Sequence, residues 1–436
     1  MSQTIYTGRE ALCSVMPREQ LSKENANRMS EEAPQARTDD VAEELSEWIR
    51  ENWDADMSLG EWWERLAFAR YTVPHWPTEW FGRGWTVKQA QVVRATFRSM
   101  KVPGPPAGLG VMLAGPTLLA HGTQSQKERF LPDIVTGSSN WCQLFSEPGA
   151  GSDLASVRTR AVHTRDHWVI NGQKVWTSNG HVADHGMLLA RTGDVERRHH
   201  DLTWFAFDME QPGIEVRPLR EMTGRSLFTE VFIDNAIAND EDAVGEVGAG
   251  WDVARTTLMN ERVGLGGAGG IVGGVPGARG GMLKLRAGDA FVTTVGRSSG
   301  TSLVMKGQAF DLVRQLATQR SDSLDACARD RVAALYVLEE IAQMTQRRLM
   351  AEGASNPNFT SLGSITKLLS TRATKLARNV GMSLLQAEGM LWANDRSLAG
   401  VMQEHFLFSP ASTIYGGTDQ IQLNIIAERV LGLPRD

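Results

Sequence analysis

From residue 41 onward the apolar positions recur at helical spacing. Val41, Leu45, Trp48 and Ile49 fall on one face, with Asp39 and Asp40 ahead of them as N-cap candidates. EWWERLAFAR continues the helical pattern until Pro74–Pro77 breaks it. A helix is predicted over Val87–Met100, followed by an apolar stretch, Leu109–Ala120. TQSQ at 123–126 reads as a capping box opening a helix through Phe130. At Trp141 the period changes to two. VRTRAVHTRDHWVINGQKVWTSNG alternates polar with β-branched and aromatic residues, and Asn171-Gly172 predicts a hairpin turn. HGMLLARTG, LTWFAFDME, GIEVRPL and SLFTEVFIDNAIA are further strand candidates. Helical spacing returns in WDVARTTLMNERV, over Ala309–Arg348, over Leu362–Ala387 and over Gln420–Leu431. MLKLRAGDAFVTTVGRSSGTSLVMKG is ambiguous.

The pattern predicts an α+β chain in the order helices, antiparallel β, helices. The expected segments are a polar, mobile extension over 1–38, a helical domain over 39–140, an antiparallel β domain over 141–245 and a C-terminal helical bundle over 246–436. Composition adds one local feature. The 43 glycines are about a tenth of the chain, against an average of ~7%. Ten of them crowd residues 264–281, where ~1 kcal/mol per helical glycine argues against a regular helix.

Charge narrows the functional classes. Lys+Arg 45 against Asp+Glu 51 leaves a net −6, with no basic field for a nucleic-acid backbone. Cys13, Cys142 and Cys327 lie too far apart to suggest a disulfide framework or a zinc cluster. The N-terminal residues have Glu10 and Glu19 and no apolar core, so no signal peptide is expected. Leu109–Ala120 is too short for a membrane span. A cytoplasmic protein without membrane insertion is the expectation. No metal site is predicted either, since His181 and His185 have no clustered third ligand. Gly264–Gly269 matches GxGxxG, but a helical stretch precedes it where a dinucleotide fold needs a strand.

The dense chemical signal is Gln143–Asp153, QLFSEPGAGSD. It combines a rigid turn, glycines that let backbone approach a ligand, and hydroxyls at Ser146 and Ser152. About twenty residues on, Lys174-Val-Trp176-Thr-Ser178-Asn-Gly180 sets an aromatic beside hydroxyl donors. A structural turn and a core tryptophan are the alternative readings of these two segments.

Taken together, SEPGAGSD, then NGQKVWTSNG, then the closing IYGGTDQIQLNIIAERVLGLPRD resemble the acyl-CoA dehydrogenase flavoprotein family from about Asp39 to the end. WCQLFSEPGAGSD, the MTG at 222–224 and LMNER at 258–262 resemble its actinobacterial-type branch, some members of which act on bulky steroid side-chain thioesters. The resemblance implies an FAD cofactor. Gln143, Phe145, Ser146, Gly151 and Ser152 would line the flavin, and Ser152 would also approach the substrate. Trp176 would flank the isoalloxazine and Ser178 would donate to its N5/O4 edge. Thr418 and Gln420 would meet the adenosine-diphosphate half, partly across a subunit interface. Arg320 is the match to a phosphate-binding arginine, although the family's following Phe is missing.

The closing motif departs from much of the family. Where a glutamate commonly precedes the Gly-Thr, this chain has Gly416. In the branch resembling isovaleryl-type and long-chain enzymes the base comes from an earlier helix, where this chain has Glu261 followed by Arg262. The implied reaction is α,β-dehydrogenation of an acyl-CoA thioester of fatty, branched or steroid side-chain type. Glu261 would take the α-proton, Gly416 would offer its N–H to the thioester oxygen, Arg262 would assist substrate binding, and FAD N5 would accept the β-hydride. An electron-transfer flavoprotein and a homo- or hetero-oligomer, dimer or tetramer, are the implied partners. An acyl-CoA oxidase or flavin monooxygenase, or a non-catalytic partner subunit, are the competing readings on the same fold.

Overall fold

A computed structural model describes residues 38–266, 277, 281–290, 309–352, 359–393 and 397–434. Of the extension read over 1–38, residues 1–37 lie outside these, as do 267–276 and 278–280 of the glycine-dense segment.

The N-terminal helices are α1 (Thr38–Asn52), α2 (Leu59–Phe68), α3 (Val87–Ser99), α4 (Gly115–His121, entered through a π-turn at Gly110–Ala114) and α5 (Gln124–Val135). Helix α1 starts one residue before the anticipated Asp39 cap. The capping box at Thr123 and Gln126 forms as read, but α5 runs past Phe130 and carries Pro132 inside it. Tryptophan does much of the packing. The indoles of Trp62 and Trp63, both fully buried, donate to the carbonyls of Pro103 (2.7 Å) and Gly104 (3.0 Å).

Eight strands follow: β1 (Trp141–Leu144), β2 (Arg160–His163), β3 (His167–Ser178), β4 (His185–Arg191), β5 (Leu202–Asp208), β6 (Ile214–Leu219), β7 (Phe228–Asn239) and β8 (Ala243–Val244). They form one sheet in the order β6-β7-β3-β2-β4-β5-β8, with β1 on β4. The sheet is antiparallel except at β4, which β1 flanks in parallel and β2 touches in parallel. This corrects the all-antiparallel expectation. The loop from 145 to 159 carries the chain over to β2, so two strands can run alongside β4 in the same sense. The Asn171-Gly172 hairpin is also corrected. These residues lie inside β3, at a register shift against β7. Thr159 is why glycine stands there, because a Cβ on Gly172 would meet its Oγ1 at 2.4 Å. The true turn is tighter and earlier, with Thr164 N–H bonded to His167 O at 2.8 Å.

The sheet has two apolar faces. Trp141, Met187, Leu189, Leu202, Trp204 and Ala206 point toward the helices, packing on Leu113, Leu118, Val253 and Ala254. The alternate residues, Cys142, Leu144, Leu188, Phe205 and Phe207, share a second core with Ile170, Val231 and Ile233. His185 is packed within the first face, its ring stacked on Trp141 at 5.0 Å.

The C-terminal part contains α6 (Gly250–Gly266), α7 (Ala309–Gln319), α8 (Ala326–Glu352), α9 (Phe359–Leu385), α10 (Leu398–Phe408) and α11 (Asp419–Arg429). Helix α6 includes the first two of the crowded glycines, Gly264 and Gly266, and ends there; the glycine argument for most of the segment falls outside the described residues. The long pattern over Ala309–Arg348 breaks after Gln319 and restarts at Ala326, where the Asp325 carboxylate caps α8 by accepting from Ala328 N–H at 2.6 Å. Helix α9 packs against both α6 and α11.

Candidate active site

The SEPGAGSD loop is built on a buried ion pair. Glu147 N–H and Ala150 O bond at 2.9 Å and Ala150 N–H and Glu147 O at 3.0 Å, closing the Pro148-Gly149 turn. Lys174 in β3 is fully buried. Its Nζ donates to Glu147 Oε1 (2.8 Å), Phe145 O (3.0 Å) and Leu189 O (2.8 Å). Glu147 also accepts from the N–H groups of Arg158 (2.7 Å) and Thr159 (2.8 Å). Burial lowers the Lys174 ammonium to about 8, against the pull of Glu147. Burial pushes the Glu147 carboxyl up, but Lys174 and the backbone donors outweigh it and the net shift is downward. The short charge-assisted contacts keep both partners ionised at neutral pH. Neither residue was singled out from the sequence. The available signal was a lysine on a strand otherwise patterned for burial.

The pair holds the loop against β3. Val175 N–H donates to Ser146 O at 2.9 Å, tying the loop to β3 beside Trp176. Trp176 is 57% exposed, with φ +61, at a register shift between Lys174 and Thr177. Left-handed backbone costs a non-glycine residue ~1–2 kcal/mol, and here it turns the indole outward, edge-on to Phe228. Ser178 is half-buried and closes β3. Gly149, Gly151 and Ser152 are exposed, and a Cβ at either glycine would meet nothing within 4 Å. Neither glycine is there for want of space within the protein, and the bare backbone is open to a ligand. The Phe145 ring, by contrast, is buried in the core under the loop, and its exchange with the site runs through its carbonyl.

Across from the loop stands α6. Thr257, fully buried, shares a hydroxyl–hydroxyl bond of 3.0 Å with Thr117, and His121 Nε2 meets Thr256 Oγ1 at 2.7 Å. These bonds set the helix's rotation against α4. One turn beyond Thr257 lies Glu261, half-buried, whose Oε2 accepts from Gln143 Nε2 at 3.2 Å. The structure thus brings Gln143 and Glu261 together over 118 residues of chain. The Arg262 backbone continues α6, and its side chain lies outside the described residues.

The closing motif is a tight turn. Gly416 and Gly417 have φ +66 and +84, which side chains rarely adopt. Buried Gln422 donates to Gly416 O at 2.9 Å, Thr418 caps α11 through Ile421 N–H at 3.2 Å, and Gln420 is exposed. Asp419 is held by Lys367 (2.8 Å) and Lys375 (3.3 Å) on α9. This turn joins α6 through α9, which packs on both. Arg320 sits apart from this set. Its guanidinium is paired with the Glu388 carboxylate.

Three family models match in order: Acyl-CoA dehydrogenase, N-terminal domain, over 27–138; middle domain, over 142–236; and C-terminal domain, over 294–431. Acyl-CoA dehydrogenase IpdE1 of Mycobacterium tuberculosis is 35% identical over 381 residues, which is 86% of this chain and 88% of its own. The chain belongs to the acyl-CoA dehydrogenase family. A further family relative, Acyl-CoA dehydrogenase FadE34 of the same organism, is 38% identical over 372 residues, and the match spans under half, 46%, of that longer protein. Among solved structures, the ChsE4-ChsE5 complex from Mycobacterium tuberculosis shares the family fold with TM-score 0.67 at 24% identity, over 93% of this chain and 100% of the other. A second, titled Tcur3481-Tcur3483 steroid ACAD, has TM-score 0.67 at 22% identity, over 92% and 98%. Membership in this family implies a flavin. Among the described residues no helix is long and apolar enough to cross a membrane.

Proposed function

We propose that the chain is an FAD-dependent acyl-CoA dehydrogenase that takes the α-proton of a thioester with Glu261. The observation that carries this reading is the Gln143–Glu261 bond, which joins the strand leading into the flavin motif to the helix bearing the carboxylate. The residues present suit the cofactor. Trp176 offers an outward ring, Gly149 and Gly151 offer open backbone, and Ser146, Ser152 and Ser178 offer hydroxyls around them. When bound, FAD supplies the acceptor for the β-hydride at N5. Thr418, at the cap of α11, and exposed Gln420 are the proposed contacts of the adenosine-diphosphate half.

The chain's own residues do the acid–base work. An α-proton beside a thioester is weakly acidic, so its removal needs a positioned carboxylate and a donor to the oxygen that gains charge. Glu261, partly withdrawn from water, is the carboxylate. Gly416 is the proposed donor, with its N–H in the positive-φ turn of the closing motif. Arg262 follows as a substrate-binding residue. The space left by Gly416 suits a branched or steroid-like acyl group. The Tcur3481-Tcur3483 steroid ACAD, which shares the fold, is of that size class.

Outward Val337, Ile341 and Met344 on α8, with the exposed run Met390, Leu391 and Trp392, suit burial in an oligomer. An electron-transfer flavoprotein is the proposed acceptor and the cytoplasm the proposed location.

One observation favours a second reading, a partner subunit in a mixed oligomer. Arg320, the phosphate-binding match, is already neutralised by Glu388. Anaerobic titration with a thioester panel of short, branched, long and steroid acyl groups separates the two. The dehydrogenase reading expects a yellow protein that bleaches, and a Glu261→Gln variant that keeps its flavin while bleaching roughly 10²- to 10⁴-fold slower. A colourless protein supports the partner-subunit reading, and fast reoxidation in air supports an oxidase.

A further inference from the structure

We infer that Gln143 is a positioning residue for the Glu261 carboxylate, holding it ionised and aimed from the sheet side. The inference deepens the reading of Glu261 as the base and rests on it. Resemblance placed Gln143 against the flavin. The geometry points to a different task. On β1 the side chains of Trp141 and Gln143 share the face turned toward the helices, while Cys142 and Leu144 enter the second core. Trp141 is locked by its ring contacts with Phe130 (5.5 Å) and His185 (5.0 Å), and its Nε1 donates to Ser139 Oγ at 3.1 Å. Strand β1 is held in parallel register on β4, with Gln143 opposite Met187. The carboxamide therefore projects from a rigid base.

Its partner is equally fixed. Helix α6 packs on β5 and is keyed to α4 by the Thr117–Thr257 and His121–Thr256 bonds, one turn before Glu261. Two rigid elements thus meet through a polar contact, Nε2 to Oε2 at 3.2 Å. A neutral N–H donor favours the charged form of a carboxylate and adds no charge of its own. Among the described residues, other titratable groups stand on the elements packed around α6. His121 bonds Thr256; on α9, Lys367 and Lys375 hold Asp419, Arg378 lies over the Phe406 ring and Arg372 is exposed. On α6 itself, Arg255 pairs with Asp252 at 3.1 Å.

The sign follows. Removing the donor raises the pKa of Glu261, so the ionised fraction at a given pH falls and the acid limb of the reaction moves up. The test is the pH dependence of anaerobic flavin bleaching by an acyl-CoA in the native protein, Gln143→Met, Gln143→Glu and Glu261→Gln. Gln143→Met is expected to shift the acid limb upward by about one pH unit. Gln143→Glu sets a second carboxylate against the first and is expected to shift it further. A readout that does not need the flavin accompanies it. Infrared titration of the protonated carboxyl band, assigned by its loss in Glu261→Gln, should show the same upward midpoint in Gln143→Met. An unmoved limb and midpoint in both Gln143 variants, with Glu261→Gln inactive, overturns the role of Gln143 and leaves the base in place. Native bleaching in Glu261→Gln overturns the base and the positioning role together.

Discussion

Glu147 lies in the motif that signals a flavin, yet its carboxylate is committed to Lys174 and to two backbone N–H groups. The motif's acidic residue thus works on the loop's shape, and the loop's glycines and hydroxyls are the groups proposed to meet the ligand. Removing one partner from such a pair leaves the other charge buried without compensation, a loss of roughly 3–5 kcal/mol. Lys174→Met is expected to lose stability on that scale in chemical denaturation. The double change Lys174→Met with Glu147→Gln should recover part of it, because no lone charge remains. A single-variant loss under about 1 kcal/mol would mean that water reaches the pair. Trp176 shows how far residue-level reading extends. Its type and neighbours only suggest a ligand platform, whereas its left-handed backbone and outward ring depend on the register shift against β7.

Among the elements, α6 shows how a helix is aimed. Thr257 is fully buried and one turn before Glu261, and each hydroxyl of the Thr117–Thr257 pair also bonds within its own helix, to Leu113 O (2.8 Å) and Val253 O (3.2 Å). Thr257→Val therefore leaves no donor stranded, and the stability cost should be only about 1 kcal/mol. The bleaching rate should fall more than stability suggests, since the helix loses its rotational key; an unchanged rate would show that apolar packing alone aims Glu261. The elements also show where pattern reading stops. Helical periodicity passes smoothly through 320–325, so α7 and α8 merged in the sequence, although Asp325 is an ordinary capping residue. Helix α10 was missed because LAGVMQEHFLF is apolar on most sides, and six of the seven residues from Ala399 to His405 are buried. The hairpin at Asn171-Gly172 failed for the converse reason. Its turn chemistry was right, but pairing with β2 and β7 on both sides kept the strand extended.

Over the whole molecule, several buried groups titrate in the same direction. Burial lowers the His405 imidazole to about 4 from 6.5. Glu147 lies below its ordinary 4.5, burial being outweighed by Lys174 and its backbone donors. Asp419 lies below 3.8, burial again being outweighed, here by Lys367 and Lys375. In each case the unfolded chain binds more protons than the folded one as pH falls. Stability should thus be full above about pH 6.5, decline as His405 and the similarly buried His75 are forced to charge, and fall further below about 4.5 as the carboxylates lose their partners. Denaturation free energies measured from pH 7 downward check this. His405→Gln should flatten the upper part of the decline, and Glu147→Gln the lower part. A curve that rises on acidification would contradict the assignment.

What the sequence by itself determined is local in origin. Helical and two-residue periods, capping residues and contiguous motifs depend on neighbours a few positions away, so the order of helices, sheet and helices and the family resemblance could be read directly. The tertiary structure alone decided which distant residues meet. Gln143 reaches Glu261 across 118 residues, Lys174 is buried under the SEPGAGSD loop, and Arg320 is spent on Glu388. Such pairings are set by how two apolar faces of a sheet pack against helices, and that packing leaves no periodic trace in the chain.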